Sequence, residues 1–230
     1  MALNPRAWIA ELIATFALVF FGPVTVTLSV VVLNQGLTPA GLIAIALAHG
    51  LAITLMIYAI GHVSGGHINP AVTIPMMILR KIDGTNGVMY IVSQLIGAVL
   101  AALAHRAVLP QGAKISYALN QPGQGISQGT AFLAEVILTF FLVFVIFGVA
   151  VHRKAPPGWA GFAIGMTVAL DHFAGVPISG ASMNPARTFG PALVAMNWNA
   201  HAIYWIGPIL GGIIAALIYQ YVIMSENDRA

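Results

Sequence analysis

Long apolar runs separated by short polar breaks recur from one end of the chain to the other. Six are long enough to cross about 30 Å of hydrocarbon, which takes about 20 helical residues. They cover Trp8–Leu33, Ala40–Ile60, Val88–Leu109, Thr130–Val151, Trp159–Val176 and Ile203–Met224. Two shorter apolar runs, Asn69–Leu79 and Asn184–Met196, fall between spans two and three and between spans five and six. Neither can cross a bilayer, so each is expected to be re-entrant or buried in protein. The pattern predicts an all-α membrane protein with six transmembrane helices and two re-entrant half-helices.

The chain also repeats itself. AELIATFALVF at Ala10–Phe20 returns as AEVILTFFLVF at Ala134–Phe144. GHINPAVT at Gly66–Thr73 returns as SMNPART at Ser182–Thr188, and SQLIGAVLAAL at Ser93–Leu103 as GPILGGIIAAL at Gly207–Leu217. Each half holds three spans. An odd number obliges the second half to enter from the opposite side, giving an inverted 3+3 repeat about an axis in the membrane plane. Residues 1–230 are expected to form a single domain, with repeat one over 1–110, a connecting loop over 111–127 and repeat two over 128–230. Glycines at helical spacing, Gly161 with Gly165 and Gly207 with Gly211, read as close helix-packing positions.

Composition narrows the class. Hydrophobic residues make up 59% of the chain and charged ones 7%, against about 25% charged in a soluble domain; the mean hydropathy is +0.92. No cysteine is present, which excludes disulfides, thiolate metal sites and a thiol nucleophile. The first run is too long for the core of a cleavable signal peptide and carries Glu11. The nine Lys and Arg are scattered, so nucleic acid is not an expected partner; the lipid bilayer is. Their placement predicts topology. With the N-terminus inside, Arg6, Arg80, Lys81, Arg153, Lys154 and Arg229 fall on the cytoplasmic side, against Arg106 and Lys114 outside. Both termini are then cytoplasmic.

The two short runs each open with the same triplet, Asn69-Pro70-Ala71 and Asn184-Pro185-Ala186. Asparagine is a preferred helix N-cap and proline a preferred first helical residue. The asparagine oxygen can accept a backbone N–H while its amide NH2 stays free to donate. An inverted repeat brings two such helix ends, each carrying about half a positive charge, together from opposite sides. That meeting point would hold a neutral molecule by its oxygen and repel cations and protons.

GHVSGGHINPAVT and SGASMNPARTFGPAL resemble the two signature loops of the aquaporin, or major intrinsic protein, family, of prokaryotic type. The resemblance covers nearly the whole chain. It implies a bundle of six tilted helices with two half-helices, a passive single-file water channel with water as permeant, and a homotetramer in the cell membrane. It also implies that Glu11 and Glu135 hold the re-entrant loops by accepting from backbone N–H groups, with His67 as a further brace. Counting from the motifs places His49, His172, Ala181 and Arg187 at a selectivity filter. His172 with Arg187 resembles the water-selective members. His49 stands where strict water channels carry Phe and resembles plant tonoplast members, so ammonia or small polyols form the alternative permeants. Ala181 stands where mercury-sensitive members carry Cys. Thr188, Ala192, Tyr204 and Trp205 also resemble the water-channel branch, although Tyr204 and Trp205 read equally well as interfacial aromatics.

Two other classes are weaker. A coupled transporter needs an ion site, and beyond Glu11 and Glu135 no acid is expected deep in the spans; Asp171 is open to pairing with Arg187, orienting His172 or facing the outer vestibule. An enzyme needs a nucleophile with a base or a ligand cluster, and the sequence offers neither; no metal or cofactor is expected.

Overall fold

The structure, a computed structural model, describes residues 3–33 and 37–228; Arg229, which counted towards the orientation above, lies outside them. Six long helices and two short ones make up the fold: α1 (Pro5–Thr27), α2 (Pro39–Ser64), α3 (Pro70–Ile78), α4 (Gly84–Val108), α5 (Gln128–Ile146), α6 (Ala160–Ser179), α7 (Pro185–Ala195) and α8 (Ile203–Ile218). The described residues contain no strand. The six long helices, with their terminal turns, are apolar and long enough to cross a membrane. Six crossings leave both termini on one face, here the terminal face; the opposite one is the far face.

Local chemistry sets most helix ends. Asn4, Thr38, Asp83 and Ser127 each accept a backbone N–H of the first turn, and Pro5 and Pro39 open their helices. The Asp83 carboxyl is held below the usual range, first by a hydrogen bond from the Asn86 side chain and then by the Asn86 backbone N–H. That cap starts α4 a turn earlier than the apolar pattern alone predicts. α2 and α6 likewise run past their expected ends. Each continues until a glycine in the left-handed region stops it, Gly65 at φ +85° and Gly180 at φ +82°, a conformation open to glycine without penalty. Three spans finish in a π-helical turn, Leu28–Val32 after α1, Phe147–Val151 after α5 and Tyr219–Ile223 after α8; nothing in the hydropathy pattern marks these.

The inverted repeat is visible in the packing. α1 lies on α2 and α4, α5 lies on α6 and α8, and α2 crosses α6 between the halves. Small residues make each crossing. Gly97 of α4 meets the backbone of Leu12, and its counterpart Gly211 of α8 meets the backbone of Val136. The pseudo-two-fold axis passes where Gly50 meets Gly165, residues at matching distances before their Asn-Pro-Ala motifs. A Cβ on Gly50 would come 2.6 Å from the Gly165 carbonyl oxygen, and one on Gly165 would come 2.5 Å from that of Gly50. In lipid the driving force for helix association is close packing of this kind.

Gly50→Ala is therefore expected to lower stability by about 1–3 kcal/mol, the usual cost of overpacking. Gly84→Ala, with nothing within 4 Å of the added carbon, should leave stability unchanged or raised. Thermal unfolding in detergent of the two variants beside the parent checks this.

Candidate functional site

The two half-helices start as their sequences predict. Asn69 is extended at φ −156°, and its Oδ1 accepts from the Ala71 N–H at 2.8 Å. Asn184, at φ −152°, accepts from Ala186 at 3.0 Å and Arg187 at 3.3 Å. Pro70 and Pro185 follow at positions where no helical N–H is needed. Across the repeat the two motifs hold each other. Asn69 Nδ2 donates to the Met183 carbonyl at 2.7 Å, and Asn184 Nδ2 donates to the Ile68 carbonyl at 2.9 Å. The amide groups are thus not wholly free to donate: one hydrogen of each is spent on the opposite loop, and one remains.

The loops before the motifs are strained in the same way. Gly65, Gly66 and Ile68 have positive φ, as do Gly180, Ala181 and Met183. A β-branched residue such as Ile68 at φ +58° is a conformational outlier, costing of the order of 1–3 kcal/mol. Two buried carboxylates hold this geometry. Glu11 accepts from the His67 N–H at 2.9 Å, the Ile68 N–H at 2.6 Å, the Ser64 hydroxyl at 2.7 Å and Gln94 Nε2 at 2.8 Å. Glu135 accepts from the Ser182 N–H at 2.8 Å, the Met183 N–H at 2.7 Å and the Ser179 hydroxyl at 2.7 Å. Both acids have no exposed surface, and each is compensated by several donors, as a charge in hydrocarbon requires. The His67 ring joins the Thr73 hydroxyl at 3.1 Å and meets Tyr90 edge-on.

A narrow lumen runs between the loops. α2 contributes His49, Ile53 and Ile57, one turn apart; α6 contributes Ile164, Val168 and His172 in the same register. Asn69, Asn184 and Arg187 line it too, with Leu18, Leu142 and Ile146 on its apolar side. The space open to the centre of a water-sized sphere is about 30 Å³, above the roughly 10–15 Å³ of such space that a water needs. Towards the far face lies a wider vestibule of about 180 Å³. His49 and Arg187 line both cavities, so they stand at the constriction between them.

Three of the four expected filter residues meet there. The His49 and His172 rings stack with centroids 4.0 Å apart. Each Nδ1 lies against a carbonyl one turn earlier, His49 against Ile45 at 2.8 Å and His172 against Val168 at 2.7 Å. A carbonyl only accepts, so each Nδ1 carries hydrogen, and in the neutral ring Nε2 keeps the lone pair. Both Nε2 atoms are buried without a protein partner. Arg187 Nη1 donates to the Ala118 carbonyl at 2.7 Å and to Asn120 Oδ1 at 2.6 Å. Ala181 is fully buried and lines neither cavity; its methyl faces the α6 backbone at Gly175.

Several residues here escaped sequence reasoning. Asn120 grips the arginine, also accepts from the Thr188 hydroxyl at 2.8 Å and donates to the Gly180 carbonyl at 2.8 Å. It lies in the connecting loop, where no repeat marks it. Ser64 with Ser179 and Tyr90 with Tyr204 were readable in the repeat, since each pair occupies matching places. Tyr90 donates to the Ser64 carbonyl and Tyr204 to the Ser179 carbonyl, both at 2.8 Å. The interfacial reading of Tyr204 is thereby corrected: it has no exposed surface and ties α8 to the loop. Trp205 instead donates to His201 at 3.0 Å within an aromatic group beside Trp198. Burial holds the His201 imidazole below its ordinary range. The expectation that no third acid lies deep in the spans is corrected too. Asp171 is buried in α6, lines neither cavity and makes no salt bridge with Arg187 among the described residues.

Comparison with known proteins agrees with this architecture. The family described as Major intrinsic protein matches residues 2–219. Aquaporin AqpM of Methanothermobacter marburgensis is 44% identical over 235 residues, covering 93% of this chain and 96% of that protein. Probable aquaporin TIP3-2 of Arabidopsis thaliana is 42% identical over 238 residues, covering 97% and 86%. The X-ray structure of the aquaglyceroporin from Plasmodium falciparum superposes with a TM-score of 0.83 at 22% identity, covering 96% of this chain and 97% of that one, a likeness of fold. With its six spans, two opposed half-helices and a lumen between them, the chain belongs to the major intrinsic protein family of membrane channels and is not an enzyme.

Proposed function

We propose that the protein is a passive water channel whose lumen carries molecules in single file and excludes ions and protons. The observation that carries this reading is the pair of cross-held asparagines in a narrow lumen. Each amide keeps one hydrogen for a passing oxygen, and each half-helix directs its positive end at the same point. A water accepting from both asparagines turns its own hydrogens towards the two mouths. That orientation interrupts a proton wire, and the local positive potential opposes cations.

At the constriction Arg187 supplies a permanent positive charge and His49 and His172 supply acceptors. Such a site suits a small molecule able to donate and accept, and the stacked rings leave little room for a carbon chain. Asn120 acts as a positioning residue, because it and the Ala118 carbonyl hold the guanidinium against the wall. The free Nε2 acceptors favour a second reading in the same lumen: ammonia, with three N–H donors, would also be accepted there. We further propose both termini on the cytoplasmic side of the cell membrane and a homotetramer with one pore per subunit. The positions of Arg6, Arg80, Lys81, Arg153 and Lys154 support the orientation; the family resemblance supports the tetramer.

Stopped-flow light scattering on proteoliposomes tests the reading by comparing water, glycerol and ammonia. Water flux well above that of empty vesicles, with little glycerol flux, is expected; glycerol faster than water would overturn it. His172→Gly removes one wall of the constriction and should raise glycerol flux several-fold in the same assay. Asn120→Ala is expected to cost about 1–3 kcal/mol, the penalty for leaving a buried donor unpaired, read as a lower unfolding temperature. Water flux should be insensitive to mercurials, since no cysteine is present; inhibition reversed by a thiol reductant would contradict this.

A further inference from the structure

The vestibule above the constriction has an unusual pairing of wall and floor. Its wall is aliphatic: Val26 from the end of α1, Val30 from the π-helical turn after it, Ile45 from α2, Ile115 and Leu119 from the connecting loop, and Val176 from α6. Its floor is the Arg187 guanidinium. That cation is 3% exposed and has only neutral acceptors, the Ala118 carbonyl and Asn120 Oδ1, both taken by Nη1. No carboxylate among the described residues lies within salt-bridge distance of it. Of the other polar side chains here, His49 stands at the constriction, and Asn120 already spends its oxygen on Arg187 and Thr188 and its amide on Gly180. Glu135 acts on the cation only from beyond salt-bridge distance, so the cup offers a visitor a positive charge without a direct ion-pair partner, the edge of His49 and a ring of methyl groups.

We propose that this vestibule binds short aliphatic monocarboxylates, which plug the channel from the far face. The carboxylate would sit at Arg187 and make the direct ion pair the protein does not provide. The alkyl tail would lie against Val26, Val30, Ile45, Leu119 and Val176. Size fits the class. An aliphatic cavity of about 150 Å³ holds benzene, a guest of six heavy atoms; butyrate also has six, and the vestibule measures about 180 Å³. Neither feature is sufficient alone. A small inorganic anion would leave the aliphatic wall unused, and a neutral alcohol would leave the charge unmatched. A ligand on this floor covers His49 and Arg187, the two residues shared with the lumen, so occupancy and conduction exclude each other.

The blocking effect rests on the water-channel reading; the binding does not, and the experiment separates them. Proteoliposomes are equilibrated on both sides with sodium acetate, propionate, butyrate or valerate at neutral pH, then shrunk with sucrose. Water flux is expected to fall, with potency rising about fourfold for each added methylene, as burial of one CH2 implies. Butanol and butylammonium at equal concentration should have no effect. In parallel, saturation-transfer NMR on the detergent-solubilised protein reads butyrate binding without any flux. Transfer to the butyrate methyl group is expected, and its loss in Val30→Asp and in Val176→Asp, which set a negative charge in the wall. Each variant is first checked for a single elution peak, and the two sit on different helices, so one misfolded variant leaves the other as the test. Inhibition independent of chain length, equal inhibition by butanol or butylammonium, or butyrate transfer retained in a folded variant overturns the proposal. Butyrate transfer without measurable water flux would uphold the site and overturn the water-channel reading. Water flux with neither inhibition nor transfer would overturn the site alone.

Discussion

The lumen depends on a reciprocal hydrogen bond between two loops that enter the membrane from opposite faces. Asn69 donates to the Met183 carbonyl and Asn184 to the Ile68 carbonyl. Those carbonyls can be reached only because Ile68 and Met183 sit in the left-handed region. That conformation is unfavourable for either residue alone and persists where the surroundings over-determine it. Glu11 and Glu135 do so by accepting successive backbone N–H groups of each loop. Two intramembrane acids, often the mark of a proton relay, here have their oxygens occupied by donors that shape a turn. Strain, carboxylate and asparagine form one unit, and the inverted repeat builds it twice.

Twofold construction also explains where polarity can lie along the lumen. α2 and α6 run in opposite directions and each presents one residue per turn to the lumen. Strict symmetry would place like residues at both mouths. The sequence departs from it at two positions: Ile164 stands where symmetry would repeat His49, and Ile57 where it would repeat His172. His49 and His172 consequently stand at the same end of the lumen, while His67 of the first loop also lines it. Arg187 follows only the second Asn-Pro-Ala, with Val72 in its place after the first. Arg187 and the stacked histidines thus lie together at one constriction, while the asparagine pair in the middle remains symmetric. The connecting loop, which belongs to neither half, adds the acceptors that hold Arg187 in place.

Close packing makes this geometry rigid. The Gly50–Gly165 crossing brings α2 and α6 into backbone contact on the pseudo-two-fold axis, and Gly97 and Gly211 do the same for the flanking pairs. Helices in lipid gain little from burying apolar surface against one another, so approach distance decides their affinity. Many large apolar side chains point outwards instead, among them Leu55, Leu170 and Val222, as expected for a surface that meets hydrocarbon.

The features legible in the linear sequence were those with a local or periodic cause. Run length and polarity marked six spans, an odd number per half required inversion, and Asn-Pro opened each half-helix because capping is settled within three residues. The repeat also held the serine and tyrosine supports, had each matching pair been compared. Tertiary structure alone decided the rest. Asn120 meets Arg187 across 67 positions of sequence, and no period links a loop residue to a half-helix. The spending of one amide hydrogen on the opposite loop, the stacking of His49 on His172 and the burial of Ala181 away from the lumen depend on backbone angles and ring orientations that residue type does not specify. Sequence carried the pattern of helices because hydrogen bonding within a helix and burial in lipid act over a few residues; the shape of the constriction had to wait for the contacts between halves, because those act between segments the chain keeps far apart.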